Sequence, residues 1–285
     1  MSIPALQYHT SPSPVPHRIA YWEWGDVHNA RTLICVHGLT RNGRDFDSLA
    51  QALAGDYRIL CPDMPGRGMS DALADAALYT NTVYLSDLLA LMDSANVAQA
   101  DWVGTSMGGI LGMMLAATLP QRMGRMVLND VGAFIPAAGL KRIGDYMGRT
   151  EFPSRQAAEE ALRSNYASFG FTEEAQWRHL FAHSLRALPG GKAALAYDPA
   201  LAAPFADPDK IQDVDLWELW NRTACPTLIM RGEQSDILSH ETALAMTASR
   251  THVELAEIAN TGHAPALMRE EEIVIVRNFL LNGQG

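Results

Sequence analysis

Cysteine is scarce in this chain. Its 285 residues hold three, Cys35, Cys61 and Cys225, each in or beside a segment expected to be a buried strand. An odd, sparse set fits reduced core thiols in a cytoplasmic protein better than a disulfide frame. None has a second cysteine at metal-site spacing, which argues against zinc. Basic residues are also few, 22 Lys and Arg against 32 Asp and Glu, for a formal charge of -10. That balance disfavours a general nucleic-acid binder and adhesion to an anionic membrane surface. No apolar run reaches membrane-spanning length, since "ILGMMLAATLP" is short and stops at Pro120. The opening "MSIPALQYHTSPSPVPHR" lacks a basic start followed by an apolar run, so no secretory signal is expected. No internal repeat and no low-complexity segment is found. The expected partner is a small-molecule substrate, with a homodimer admitted and nucleic acid and membrane not expected. No metal or organic cofactor is expected.

What the chain does have is apolar substance. Hydrophobic residues make up 48% of it, enough for a substantial core, and the length suits one large α/β domain or a core plus an insert. "SPSPVP" (Ser11 to Pro16) reads as an extended arm or turn. "RIAYWEW" alternates as a half-buried strand, and "TLICVHG" is a continuous apolar run, hence a central strand. "RDFDSLAQALAG" reads as a helix closing on Gly55, and "YRILCPD" as a strand. "NTVYLSDLLALMDSANV" has helical spacing, with Val83, Leu85, Leu88, Leu89 and Met92 expected on one stripe. The strand "DWVG", the buried helix "MGGILGMMLAATLP" and the strand "RMVLND" follow.

This β-then-α alternation predicts an α/β fold, a parallel sheet with helices on both faces and a site at the carboxyl ends of its strands. The alternation breaks after "VGAFIP" (Val131 to Pro136). From there to about Asn221 the text is helical, with no convincing strand. It resumes with the strand "PTLIMRG", the helix "HETALAMTASR", the strand "HVELAEI" and the helix "EEEIVIVRNFLL". The expected organisation is a core of residues 1–132 and 222–285 interrupted by a helical insert, 133–221.

Gly104-Thr-Ser106-Met-Gly108 fits G-x-S-x-G between a strand and a helix, the context in which a serine is held in a strained turn as a nucleophile. The helix start would aim its dipole and the Met107 N–H at a developing oxyanion. A serine needs a base, and His263 in the loop "ANTGHAP" is well placed. The chain has nine histidines. His9, His17 and His28 lie in early loops, and His37 in "VHGLT" reads as a loop brace. His179 and His183 stand four apart on an expected helix. No third ligand or adjacent carboxylate is evident in the sequence, so an ordinary helix surface is expected there. The base needs an orienting carboxylate. Asp236 in "RGEQSDIL" is favoured, with Glu233 and Asp130 as the other acids at strand ends. Leu39, after "VHG", is the candidate for a second oxyanion N–H.

Together "VHGLT", "PDMPGRGMSD", "VGTSMGG", "RGEQSDIL" and "GHAP" give the sequence a resemblance to the α/β-hydrolase superfamily. The resemblance implies an eight-stranded, mostly parallel sheet with a helical lid inserted after the sixth strand. It implies Ser106 as nucleophile, His263 as base, Asp236 as acid, and Leu39 and Met107 as oxyanion donors. "PDMPGRGMSD" matches the family's turn after the fourth strand and reads as architectural. A serine where halide- and epoxide-opening relatives carry aspartate points to acyl chemistry on an ester or lactone. Hydrolysis of C–C bonds in ring-cleavage diketones, acyl transfer and perhydrolysis would use the same residues, whereas a non-catalytic ligand-binding member of the fold would be expected to have lost the triad. The ring-cleavage group carries an "HGxGPG"-like loop, where this chain has "HGLTRN". Arg41 in that loop is a candidate for holding a substrate carboxylate, or else a solvent-exposed loop arginine. Phe134, Tyr146 and Trp177 are candidate substrate contacts among the insert's aromatic and Met residues, which include Met147, Phe181, Trp217 and Trp220.

Overall fold

A computed structural model of the protein describes residues 3–12, 14–148 and 150–282. The chain opens with strands β1 (Ala5–Ser11) and β2 (His17–Trp24) and continues through β3 (Thr32–Val36), helix α1 (Asp47–Leu53), β4 (Arg58–Pro62), α2 (Asn81–Ser94), β5 (Ala100–Thr105), α3 (Met107–Thr118) and β6 (Met123–Asn129). The insert follows. It holds β7 (Phe134–Ile135), α4 (Ala137–Met147), β8 (Glu151–Phe152), α5 (Arg155–Asn165), α6 (Glu174–Ser184), β9 (Leu185–Ala187), β10 (Ala193–Leu195), β11 (Val214–Asp215) and α7 (Trp217–Arg222). The core resumes with β12 (Thr227–Gly232), α8 (His240–Ala248), β13 (Val253–Ile258) and α9 (Glu270–Leu281).

Eight strands form one sheet in the order β1-β2-β4-β3-β5-β6-β12-β13. The β1–β2 and β2–β4 pairs are antiparallel, and every later pair is parallel. This is the mostly parallel α/β sheet that the alternation predicts. Strands β3 and β12 are buried along their whole length, which is why they read as unbroken apolar runs. One face of the sheet packs on α2, α3 and α8 through residues such as Leu88, Leu111 and Met246. The other packs on α1 and α9 through Leu49, Leu53, Phe279 and Leu280. Each such side chain contributes roughly 1.5–3 kcal/mol by leaving water.

Three sequence expectations are corrected here. β1 went unread because only Ser11 of its seven residues is fully buried, so an edge strand leaves no apolar alternation to find. The arm reading applies only to the turn after it, and Ser13 lies outside the described residues. On α2 the fully buried apolar residues are Tyr84, Leu88, Leu91 and Met92, while Val83, Leu85 and Leu89 are half-buried. Asp87 shares that buried face because the Ser11 hydroxyl donates to it at 2.5 Å and His17 Nε2 lies 3.2 Å away. Finally, the insert is not strand-free. Its strands pair as β8-β10-β9 and β11-β7, but each is two or three residues long, below the length at which a period can be read. Among the described residues no helix is long and apolar enough to cross a membrane.

Candidate active site

Ser106 joins β5 to α3 with φ 52° and ψ -114°, a left-handed conformation that costs a non-glycine residue energy and is held only by its surroundings. Close packing supplies them. A Cβ on Gly104 would stand 2.3 Å from the Gly108 carbonyl oxygen, and one on Gly108 would stand 1.9 Å from that of Val36. The two glycines therefore let strand and helix meet around the serine. The Ser106 N–H donates to Asn129 O at 3.0 Å. Its hydroxyl donates to His263 Nε2 at 3.0 Å, and His263 Nδ1–H donates to a carboxylate at 2.8 Å.

That carboxylate belongs to Asp130, not to Asp236, and the expected partner of His263 is corrected accordingly. Asp130 follows β6 with φ 58°, and its side chain is fully buried. Its Oδ1 accepts from the Gly232 N–H at 2.7 Å, and its Oδ2 accepts from the Ser235 hydroxyl at 2.5 Å as well as from His263. In the loop after β12 it is Ser235, one residue before Asp236, that faces the site. Asp236 turns away toward α4 and pairs with Arg142, whose Nη2 donates to it at 2.8 Å with both side chains partly exposed. Burial opposes the charge on Asp236, but the Arg142 hydrogen bonds and charge outweigh it and hold its pKa below the ordinary carboxylate value. Glu233 is directed elsewhere too, accepting from the Asn260 N–H at 3.1 Å.

The N–H groups of Leu39 and Met107 donate to no protein acceptor among the described residues. Met107 begins α3, so its free N–H sits at the positive end of the helix. Gly38 lies against the serine, since a Cβ on it would be 3.7 Å from Ser106 Cβ. Two buried side chains clamp this loop. His37 Nδ1–H donates to Gly38 O at 2.7 Å while Nε2 accepts from the Met64 N–H at 2.9 Å, the bracing role expected of it. Burial pushes its pKa down to about 3, so the ring is neutral as this pattern requires. Arg67, only 1% exposed, donates from Nε to Leu39 O at 2.8 Å, and its Nη2 lies 3.7 Å from the Met107 sulfur. It thus touches both residues that offer free N–H groups. Asn129 Nδ2 donates to Thr105 Oγ1 at 3.0 Å and Pro265 O at 2.9 Å, tying the end of β5 to the histidine loop. Sequence reasoning passed over Arg67, Asn129 and Ser235. The glycines flanking Arg67 in "PGRG" were the available signal.

Above Ser106 lies a small, partly enclosed cavity of about 40 Å³. Tyr146 lines it as expected, but Phe134 and Trp177 do not. Phe134 sits in β7, paired with Asp215. Trp177 stands one layer back, its ring 4.6 Å from that of Phe171. Tyr166, Phe169 and Phe171, which the sequence did not single out, line it in their place. Arg41 also lines the cavity, yet it is buried at 5% exposure, not a solvent-exposed loop residue. Its fork is closed on Asp45, with Nε to Oδ2 at 2.9 Å and Nη2 to Oδ1 at 2.5 Å, and Nη1 donates to Ser184 Oγ at 2.7 Å. Burial opposes its charge, but Asp45 prevails and pushes its pKa up. The bidentate face expected to hold a substrate carboxylate is already filled.

The family profile described as "Alpha/beta hydrolase family" matches residues 33–274. The chain belongs to the alpha/beta hydrolase family. This hydrolase is 43% identical over 271 residues to a 3-hydroxybutyrate-oligomer hydrolase of Cupriavidus necator, an alignment that spans 92% of each chain. Among solved structures it is similar to an alpha/beta hydrolase from Novosphingobium aromaticivorans, with 38% identity and a TM-score of 0.86 over 98% of this chain and 99% of that one.

Proposed function

We propose that this hydrolase cleaves carboxylic esters by acyl transfer through Ser106, and that its substrates are short oligomers of a 3-hydroxyalkanoic acid. The observation that carries the reading is the continuous relay from Ser106 Oγ through His263 to buried Asp130, with hydrogen bonds of 3.0 and 2.8 Å. The likeness to an oligomer hydrolase over most of both chains supports the substrate class.

In this reading His263 Nε2 takes the Ser106 proton as Oγ attacks the ester carbonyl carbon. Negative charge gathers on the carbonyl oxygen, where the Leu39 and Met107 N–H groups receive it; each such donor is worth about 3–4 kcal/mol of barrier. The imidazolium returns its proton to the leaving alkoxide, which departs as an alcohol. Water, deprotonated by His263, then releases the acid from the acyl-enzyme. Asp130 remains ionised throughout, holding the Nδ1–H tautomer and stabilising the transient imidazolium. The insert, residues 133–221, serves as a lid, supplying the aromatic roof of the cavity. The cavity is small, about 40 Å³, and in this reading an oligomer enters it with the lid raised.

The test is a substrate panel of 3-hydroxybutyrate dimers and trimers, p-nitrophenyl esters, lactones and vinylogous diketones, run on the wild type and on Ser106→Ala. The expected result is oligomer cleavage that Ser106→Ala abolishes. Turnover of the diketones with no ester cleaved would overturn the reading.

A further inference from the structure

The two histidines four apart on α6, for which the sequence shows no third ligand, have one across the lid–core boundary. The ring centroids of His179 and His183 lie 4.6 Å apart. Asp47, the first residue of core helix α1, approaches them with its Oδ2 3.7 Å from His179 Nε2. One ligand atom from each of the three falls within 4.8 Å of the others. We propose that Asp47, His179 and His183 form a binding site for a divalent first-row transition ion such as Zn²⁺, pinning lid helix α6 to the core.

The donor set fits that class. Two imidazoles and one carboxylate suit Zn²⁺ and its neighbours, not Ca²⁺ or Mg²⁺, which prefer an all-oxygen shell. His183 makes no hydrogen bond through its ring among the described residues. His179 Nε2, the nitrogen that faces Asp47, also donates to Arg44 O at 2.8 Å, so an ion held by Nε2 would take the place of that hydrogen bond. Asp47 is shared with Arg44, but unevenly. Its Oδ2 accepts from Nε at 2.8 Å and Nη2 at 2.5 Å, while Oδ1 accepts from Nε alone at 2.9 Å, so Oδ1 has room for an ion. The nearby charges balance in pairs, Arg41 with Asp45 and Arg44 with Asp47. Ligand atoms around tetrahedral zinc lie about 3.4 Å apart, so the three must draw together by about 1.4 Å, within reach of side-chain rotation. His179 and Asp47 keep 26% and 12% of their side-chain surface exposed, leaving an entry path.

Two ligands ride on the lid and one on the core. A bound ion would therefore hold down α6, which also carries Leu180 of the cavity wall, and slow substrate entry. That consequence rests on the lid reading above, whereas the binding does not. The experiment is titration of the metal-free full chain with Co²⁺, read by its visible ligand-field absorption, for the wild type, His179→Ala, His183→Ala and the double variant. Circular dichroism checks that each is folded. One ion per wild-type chain, displaced by Zn²⁺ and bound at least tenfold more weakly by each single variant, is expected. No uptake by the wild type, or equal uptake by the folded double variant, would overturn the site. In parallel, Zn²⁺ should slow ester turnover by the wild type reversibly with chelator, and not by His183→Ala. Slowing that persists in His183→Ala, or binding without slowing, would overturn the lid clamp. A chain with no esterase activity at all would fail the functional reading and leave the Co²⁺ result to stand alone.

Discussion

The loops after β6 and β12 each bring an aspartate to the carboxyl end of the sheet, and only one reaches the imidazole. Asp130 is fully buried and takes three hydrogen bonds, from Gly232 N–H, Ser235 Oγ and His263 Nδ1. Asp236 is partly exposed and takes an arginine from the insert. The second loop still serves the first, because it sends Ser235 and the Gly232 N–H to support the other loop's acid. Chain order and motif could not separate the two aspartates, since both precede His263 and both follow a strand. A shift of one residue along the β12 loop decides which side chain faces inward.

The comparison breaks most visibly at Asp130. Asp130→Asn should lower kcat on a p-nitrophenyl ester by about a thousand- to ten-thousand-fold with intact folding, because the amide no longer selects the required imidazole tautomer. Arg67→Met removes the buried support of the Leu39 carbonyl. It should lower kcat by roughly ten- to a hundredfold with little change in KM, as expected for a group that positions an oxyanion donor; a loss carried by KM with kcat unchanged would refute that role. Ser235→Ala removes one hydrogen bond from Asp130 and should cost about tenfold in kcat. Asp236→Asn weakens a partly exposed ion pair, worth at most about 1 kcal/mol, and should leave kcat on a small ester within about threefold.

His37 bears on stability at acid pH. The unfolded ring binds its proton near 6.5 and the folded one near 3, so stability falls as pH drops through that window and is flat above it. Thermal melts of the wild type and His37→Gln should show a shallower acid slope in the variant.

Much of the core was legible because its strands carry their own signal. β3 and β12 are buried enough to read as apolar runs, and the glycines beside Ser106 mark the tight turn. The insert was less so. Its strands are too short for a period, and which aromatic faces the cavity depends on how α4 to α6 lean on the core. Trp177 and Tyr166 look alike in the sequence, yet only Tyr166 lines the site. Arg41 and Asp45 are four residues apart, but nothing in that spacing told that their pairing would be buried. Asp47 and His179 are 132 residues apart, so their approach exists only in the fold.

The central claim is that Asp130, and not Asp236, activates the nucleophile through His263. The rate at which a fluorophosphonate labels Ser106 measures that activation with no dependence on the natural substrate. The account predicts labelling at close to the wild-type rate in Asp236→Asn and at least a hundredfold slower labelling in Asp130→Asn. Slow labelling in Asp236→Asn with a near-normal rate in Asp130→Asn would contradict it.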